Sequence, residues 1–153
     1  MNARIKKLMS IIPNDTCIIT SCGYISRDVY RYDRERIFYC QGAMGCALGI
    51  GLGLAYSRHD LNVVVISGDG ATLMNLGTVA LQKYLNLPNL KHYILNNNCY
   101  ASSGRQETCF KSVRDYLNID VIPIGKEIAA PRIPLTCKEI KERFMKSINH
   151  GKK

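Results

Sequence analysis

The feature that most constrains the fold of this chain is an unbroken β-branched run, Val-Val-Val-Ile at residues 63–66. Neither face of such a strand carries polar side chains, which is typical of a strand buried on both faces of a parallel sheet. The tripeptide Gly-Asp-Gly at residues 68–70 follows at once, and it is typical of a tight loop. The run therefore predicts a central strand over residues 62–67 with a loop at its carboxyl end.

Helical and extended patterns alternate along the whole chain. They predict helices over residues 2–12, 26–32, 73–84, 113–117 and 136–148, and strands over residues 17–20, 37–39, 62–67, 92–95 and 120–124. This alternation is typical of an α/β protein with an open, mostly parallel sheet and helices on both faces. Because such sheets bind ligands at the carboxyl ends of their strands, we expect the functional residues in the loops beginning near Thr20, Tyr39, Ser67 and Leu95.

A glycine-rich stretch covers residues 42–53 and is expected to turn helical near Gly45. Its later glycines, Gly49, Gly51 and Gly53, are spaced two residues apart, which is not the G-x-G-x-x-G spacing of dinucleotide-binding loops. We interpret these three glycines as positions where a helix packs closely.

Length and composition limit the remaining possibilities. A chain of 153 residues is expected to form one domain, residues 1–153. No apolar run approaches the roughly 18–20 residues of a membrane span, and we expect a soluble chain without a targeting segment. The seven cysteines are odd in number and include no C-x-x-C pair, which favours the reducing cytoplasm over a disulfide framework or a zinc site. We expect His59, His92 and His150 to be ordinary surface or boundary residues.

The net charge of +9 would suit a nucleic acid, an anionic small molecule or an acidic partner subunit. The charges are scattered, and only residues 138–153 are densely charged. There lysines and glutamates are interleaved as on a solvated helix face. Because no nucleic-acid-binding motif is present, we expect no nucleic-acid partner.

Two polar segments follow neighbouring strands of the predicted sheet. Asp69 lies between two glycines after one strand, and Asn97 follows 28 residues later, after the next strand. Glycines let backbone N–H groups approach a phosphate, while carboxylate and amide oxygens are ligands that Mg²⁺ prefers. The glycine-aspartate segment alone could be a simple tight turn, but the pair predicts a metal-diphosphate site at one edge of the sheet.

This pair of segments resembles the hallmark of thiamine diphosphate-dependent enzymes, in which Gly-Asp-Gly precedes an Asn-Asn pair at this distance. The resemblance implies a Mg²⁺ ion bound by Asp69, the Asn97 side chain and the Cys99 backbone carbonyl. It also implies that Gly70 and Ala71 contact the diphosphate. The residues implied to bind the cofactor are Gly42, Ala43, Met44, Gly68, Gly70, Ala71, Asn97 and Cys99.

The upstream turn Gly-Ala-Met-Gly at residues 42–45 is similar to the family's G-S-[MI]-G turn. By this likeness, Gly42 offers its carbonyl to the aminopyrimidine ring, and Met44 is the apolar support that holds the cofactor bent. Without that context Met44 would be interpreted as a core methionine. Ala43 stands where the family has serine.

Two further segments narrow the resemblance to phosphonopyruvate and sulfopyruvate decarboxylases. Residues 20–28 are similar to T-T-G-x-x-S-R-E, and residues 100–108 are similar to Y-x-S-T-G-G-Q-x-T. Ser102 and Ser103 either bind the substrate or shape their loop. Arg105 replaces a glycine and is either a ligand for a second anionic group or a surface residue. Arg27 binds either the substrate or a local carboxylate such as Asp28 or Asp33.

The family's activating glutamate comes from a separate pyrimidine-binding domain, which we expect to be absent from this chain. The resemblance therefore implies a β-type subunit that needs an α-type, pyrimidine-domain partner in a hetero-oligomer. The implied reaction is decarboxylation of an anionic 2-oxo acid, phosphonopyruvate or sulfopyruvate, to an aldehyde. A carboligase subunit and a non-catalytic binding subunit are the alternatives.

Overall fold

A computed structural model describes residues 3–125 and 130–149. The strands are β1 (Cys17–Thr20), β2 (Ile37–Tyr39), β3 (Val63–Gly68), β4 (Leu90–Asn96) and β5 (Asp120–Pro123). The helices are α1 (Ala3–Ile11), α2 (Tyr24–Tyr30), α3 (Ala47–Ser57), α4 (Asp69–Leu73), α5 (Leu76–Leu85), α6 (Arg114–Leu117) and α7 (Cys137–Asn149), with a 3-10 turn over Cys109–Ser112. The predicted alternation of helix and strand is confirmed, although His150 lies outside the described residues.

These strands form a five-stranded parallel sheet in the order β2-β1-β3-β4-β5. The β-branched strand β3 is central, because it pairs with β1 on one side and with β4 on the other. Its first five residues are all buried. The expectation of an open parallel sheet around this strand is therefore confirmed.

Each face of the sheet has its own apolar cluster, because successive strand side chains point to opposite faces. One cluster contains Ile19 and Val65 with residues of α3, α5 and α7. The other contains Ile18 and Ile66 with residues of α1, α2 and α7. Helices therefore cover both faces, as predicted, and helix α7 contributes to both clusters along the edge strand β2.

Helix α3 approaches the sheet most closely at Gly51, where an added Cβ would overlap Cγ2 of Val65. The predicted close packing is confirmed at this glycine. It is wrong at Gly53, which is exposed and would meet nothing within 4 Å, and at Gly49, whose nearest neighbour would be Thr78 Cγ2 at 3.9 Å. These two glycines lie on the outer side of the helix, so the helix-sheet contact does not require them.

The helix predicted over residues 73–84 is confirmed from Leu76 onward as α5, but its start is wrong, because the helical conformation is interrupted between α4 and α5. Asn75 leaves the helical conformation, with φ −146° and ψ 55°, and its side-chain amide donates to the Gly45 carbonyl over 3.4 Å. The predicted loop at residues 68–70 is also wrong, since Gly68 ends β3 and Asp69 begins α4. Periodicity could not reveal the interruption at Asn75, because a tertiary contact can override a local helical pattern.

The strand order places a crevice between the carboxyl ends of β1 and β3. From β1 the chain continues to β2 at one edge, whereas from β3 it continues to β4 and β5 at the other. The connections therefore leave the two neighbouring strand ends in opposite directions, which is where open α/β sheets bind ligands. Within residues 3–125 and 130–149, none of the helices combines the length and apolar character that crossing a membrane requires.

Candidate functional site

A small cavity of about 60 Å³ lies in this crevice. The loop after β1 and the start of α2 contribute residues 21–25. The β3–α4 junction contributes residues 68–71, and the loop after β4 contributes residues 97 and 99–102. Met44 lines it from the turn before α3. Four segments that are far apart in sequence therefore meet at the carboxyl edge of the sheet.

Most of the predicted site residues lie around this cavity. The predicted residues that line it are Met44, Gly68, Asp69, Gly70, Ala71, Asn97, Cys99 and Ser102. Gly42 lines a neighbouring cavity, and Ala43 lines neither of the two. Ser103 and Arg105 also lie outside both linings. The structure thus brings together the oxygen donors from the two polar segments and separates Arg105 from them.

Asp69 is a buried carboxylate, only 3% exposed, at the first position of α4. The buried Thr108 hydroxyl donates to its Oδ2 over 2.6 Å, and Thr108 N donates to the Asn98 carbonyl over 3.0 Å. An ionised carboxylate has about four acceptor positions, so this hydrogen bond orients Asp69 and leaves capacity to bind a cation. Sequence patterning gave no sign of the contact, although Thr108 ends one of the segments used for the resemblance.

The loop after β4 is built by its own asparagines. Cys99 N donates to Asn97 Oδ1 over 3.0 Å, and Asn98 N donates to Asn96 Oδ1 over 3.0 Å. Asn98 has φ 57°, a left-handed conformation that asparagine tolerates better than most residues. The Cys99 carbonyl accepts from Ala101 N over 3.0 Å and keeps a second lone pair. This loop thus presents amide and carbonyl oxygens beside Asp69.

The donor set fits a hard divalent cation. One carboxylate, one side-chain amide oxygen and one backbone carbonyl are oxygen ligands of the kind that Mg²⁺ uses while it keeps water or phosphate ligands. In the described part of the chain, no three His, Cys, Asp or Glu side chains are grouped so that they could hold a metal ion. A site for thiolate- or imidazole-bound zinc is therefore not formed by those residues.

Gly70 lies directly against an aromatic ring. A Cβ at Gly70 would lie 2.5 Å from Cε1 of Tyr100 and 3.4 Å from Cε of Met44. Tyr100 is fixed by its backbone, since Tyr100 N donates to the Gln106 carbonyl over 2.9 Å and Arg105 N donates to the Tyr100 carbonyl over 3.0 Å. Only glycine fits between these side chains, so residue 70 presents bare backbone to the cavity.

A buried chain of hydrogen bonds supports the junction from the other side. Ser67 Oγ lies 2.7 Å from His92 Nε2 and 2.9 Å from Thr72 Oγ1, and Thr72 donates to the Gly68 carbonyl over 2.9 Å. Burial lowers the pKa of His92 to about 4, so this histidine is neutral near pH 7. The expectation of a surface or boundary histidine is wrong for His92, which is 4% exposed. Sequence alone could not reveal its burial, because its hydrogen-bond partners, Ser67 and Gln82, come from other elements.

The cavity is much smaller than a pocket for a whole cofactor, since pockets for small molecules typically have roughly 300–1,000 Å³. Its residues fit the diphosphate and metal end of thiamine diphosphate by their chemistry, because they combine oxygen donors with exposed glycine backbone. This chain by itself therefore encloses only part of such a ligand.

Comparison with known proteins identifies the family. The family described as "Thiamine pyrophosphate enzyme, C-terminal TPP binding domain" matches residues 20–152. The chain is 43% identical over 105 residues to sulfopyruvate decarboxylase subunit beta of Methanocaldococcus jannaschii, covering 68% of this chain and 55% of that protein. It is 38% identical over 112 residues to phosphonopyruvate decarboxylase of Streptomyces viridochromogenes, covering 72% of this chain and 28% of that protein.

A third relative matches over more of its length. Sulfopyruvate decarboxylase subunit beta of Methanothermobacter thermautotrophicus is 36% identical over 163 residues, covering 88% of each chain. The matches to the first two relatives thus span about half and about a quarter of those proteins. The predicted resemblance to these decarboxylases is confirmed, and this chain belongs to the thiamine pyrophosphate enzyme family through its C-terminal TPP-binding domain.

Proposed function

We propose that this chain is the β-type subunit of a split thiamine diphosphate-dependent decarboxylase acting on an anionic 3-substituted pyruvate, sulfopyruvate or phosphonopyruvate. The observation that carries the proposal is the meeting of Asp69, Asn97 and Cys99 with Met44 and Gly70 around one cavity. Relatives described as sulfopyruvate decarboxylase subunit beta support the substrate class and the subunit role. Residues 1–153 would form a single domain.

The oxygen donors would hold the metal and the diphosphate. Asp69 and the Asn97 side chain would bind Mg²⁺, with the Cys99 carbonyl as a third protein ligand. Gly68, Gly70 and Ala71 would offer backbone to the diphosphate, with Tyr100 and Met44 fixing the space around Gly70. Thr108 would keep the Asp69 carboxylate oriented.

The turn before α3 would meet the remainder of the cofactor. Met44 would support its bent form, and the exposed Gly42 and Ala43 would face its pyrimidine ring. When bound, thiamine diphosphate supplies the nucleophilic carbon and the electron sink for decarboxylation. In the overall reaction the C1–C2 bond of the 2-oxo acid breaks, CO₂ leaves, and a proton from solvent takes its place to give the aldehyde.

An α-type partner with a pyrimidine-binding domain would complete the site. Exposed apolar side chains lie close to the turn before α3, on α3 itself and where α4 joins α5: Ile50 is 38% exposed, Met74 58% and Leu76 37%. A Cβ at Gly45 would lie 3.1 Å from Met74 Cβ, so this apolar patch adjoins the cofactor turn. Such a patch next to an incomplete site suits a protein partner that covers both. All seven cysteines are free, which fits the reducing cytoplasm.

Calorimetric titration of thiamine diphosphate with Mg²⁺ tests this proposal. The chain would be titrated alone and with a candidate pyrimidine-domain subunit encoded beside it. Binding should strengthen with the partner and disappear in Asp69→Ala, but persist in the control Asp115→Ala, which removes an exposed carboxylate on α6. No binding in either sample would refute the proposal.

Product analysis then distinguishes the reactions. The assembled enzyme should convert sulfopyruvate or phosphonopyruvate to an aldehyde and CO₂. A longer hydroxyketone would instead identify a carboligase. Cofactor binding without turnover of any 2-oxo acid would identify a non-catalytic subunit.

A further inference from the structure

A second cavity, of about 390 Å³, adjoins the cofactor site, and its arginines have no role in the function proposed above. It lies between α2, the turn before α3 and residues 132–133. Gly23 lines both cavities, and Gly42 lines the second. The second cavity therefore lies beside the place where the reacting end of a cofactor held by Asp69 and Gly42 would lie.

Two arginines, Arg27 from α2 and Arg132, line this cavity, and no aspartate or glutamate does so among the described residues. Burial raises the pKa of the Cys40 thiol, also in the lining, to about 12, so Cys40 adds no negative charge near pH 7. The described lining of the cavity is therefore positively charged. An arginine fork suits sulfonate, phosphonate and carboxylate oxygens, because it donates two parallel hydrogen bonds.

Among the residues that the structure describes, Arg27 is held in place by neutral groups rather than by a carboxylate. Its guanidinium carbon lies 5.4 Å from the centre of the Tyr24 ring, and its Nη1 donates to the Ala130 carbonyl over 3.4 Å. Both neighbouring carboxylates have other partners, which decides against the local ion pair considered from sequence.

Those partners are themselves arginines. Asp28 pairs with Arg31 at 3.1 Å, and Asp33 pairs with Arg143 at 2.6 and 2.9 Å. Within residues 3–125 and 130–149, no ion pair joins Arg27 or Arg132 to a carboxylate. A half-buried arginine that is positioned by neutral groups retains its capacity to bind an anion.

We propose that Arg27 and Arg132 bind the second anionic group of the substrate, the sulfonate or phosphonate on C3, in this cavity. This inference rests on the proposed function. The small cavity around Asp69 would hold the diphosphate end of the cofactor, so the substrate needs separate space. Arg105, the other arginine that the sequence offered as a substrate ligand, lines neither cavity. The two arginines would thus make the enzyme prefer anionic 3-substituted pyruvates to pyruvate itself.

Steady-state kinetics of the assembled enzyme tests the proposal with three substrates: sulfopyruvate, phosphonopyruvate and pyruvate. In Arg27→Gln and in Arg132→Gln, kcat/KM for the two doubly charged acids should fall by about 10- to 100-fold, as expected for the loss of a charge-assisted hydrogen bond. The value for pyruvate should change less than about threefold. The control Arg114→Gln removes one positive charge from exposed α6 and should leave all three values unchanged.

Arg27→Lys distinguishes the effect of the positive charge from that of the guanidinium geometry. As the more conservative change, it also shows whether the loss in Arg27→Gln comes from misfolding. It keeps the positive charge but loses the fork, so its kcat/KM for the doubly charged acids should lie between wild type and Arg27→Gln. Equal falls for pyruvate and for the doubly charged acids in all these variants would overturn the proposal. So would unchanged kinetics in both glutamine variants.

A direct binding measurement keeps this inference separate from the proposed function. The probe is 3-sulfopropionate, a saturated anion that this reaction cannot decarboxylate. It is titrated calorimetrically into the assembled enzyme, and propionate is the singly charged control. If 3-sulfopropionate binds more tightly than propionate and this difference is lost in Arg27→Gln, the assignment of the cavity is supported even if the enzyme has no decarboxylase activity. Absence of binding, or equal binding to wild type and both glutamine variants, would overturn the cavity's assignment even if thiamine diphosphate binds and decarboxylation proceeds.

Discussion

Thr108 donates its hydroxyl hydrogen to Oδ2 of Asp69 over 2.6 Å, although the two residues are 39 positions apart and in different elements. Both side chains are buried, at 3% exposure each. The contact joins the loop after β4 to the first turn of α4, so it ties the two polar segments of the candidate site to each other. Groups that hydrogen-bond a metal ligand fix its orientation and affect metal affinity.

Thr108→Val should therefore weaken Mg²⁺-dependent cofactor binding. The substitution keeps the shape of the side chain and removes the hydrogen bond, and losses of such contacts typically cost about 10- to 100-fold in metal affinity. Thr108→Ser, which retains the hydroxyl, is the control and should bind nearly as well as wild type. Calorimetric titration of thiamine diphosphate at several Mg²⁺ concentrations measures the effect, and equal affinity in the valine and serine variants would contradict it.

Gly70→Ala should disrupt the candidate site through Tyr100. The new Cβ would lie 2.5 Å from Cε1 of that ring, so the ring or the backbone must move. Truncating the ring in the double variant Gly70→Ala/Tyr100→Ala should restore part of the lost thermal stability. The melting temperatures of wild type, both single variants and the double variant give the coupling between the two sites. Strict additivity would mean that the two residues are not in contact.

Two glycines of α3 should respond in opposite directions to the same substitution. Gly51→Ala places a methyl group against Val65 and should destabilise the protein by about 1–3 kcal/mol, as overpacking does. Gly53→Ala meets open space in the same helix and should stabilise it by about 0.5–1 kcal/mol, because alanine loses less backbone entropy than glycine on folding. Urea denaturation measures both changes. Destabilisation by both alanines would show that Gly53, like Gly51, is closely packed.

The parts of the fold that sequence reveals are those set by local composition. The β-branched residues of β3 could be assigned because burial on both faces leaves no polar side chain over residues 63–66. Asp69 and Asn97 could be placed together because neighbouring parallel strands bring their carboxyl ends to one edge. Each inference needed only a pattern within one element and a general rule of sheet geometry.

The parts that sequence misses depend on contacts between distant elements. Asn75 interrupts a helical pattern by donating to Gly45, 30 residues away. His92 is buried only because Ser67 and Gln82, from other elements, supply hydrogen-bond partners at 2.7 and 3.1 Å. The pairing of Thr108 with Asp69 likewise leaves no periodic signal.

Neutral, buried His92 should make stability depend on pH. Its pKa is lowered to about 4 by burial, whereas an unfolded histidine has about 6.5. Between these values the unfolded chain binds more protons, so the free energy of unfolding should fall as the pH falls from 6.5 to 4, by about 3 kcal/mol in total. Above pH 6.5 this contribution is fully present.

The measurement compares urea denaturation of wild type and His92→Gln from pH 4 to 7.5. The variant should have a shallower pH dependence between 4 and 6.5, while the exposed His59→Gln should follow wild type. The side chains lining the cavity beside His92 include Arg114, Asp115 and Asp120, and they are unchanged in both variants. If the free energy of unfolding depends on pH in the same way in wild type and in His92→Gln, this histidine is not the source of the pH dependence.

The apolar patch beside the cofactor turn should be where the partner subunit binds. Met74→Lys and Leu76→Lys each place a charge among side chains that are exposed in this chain, so neither should lower its melting temperature by more than a few degrees. Both should weaken association with the pyrimidine-domain subunit by about 10-fold or more, because a buried unpaired charge costs several times the free energy of one apolar contact. Tyr116→Lys, on α6, is a matched control with an 82% exposed aromatic residue. Analytical ultracentrifugation of the mixed subunits measures association. If all three variants associate as wild type does, the partner binds elsewhere, and the cofactor site must be completed from another side of the sheet edge.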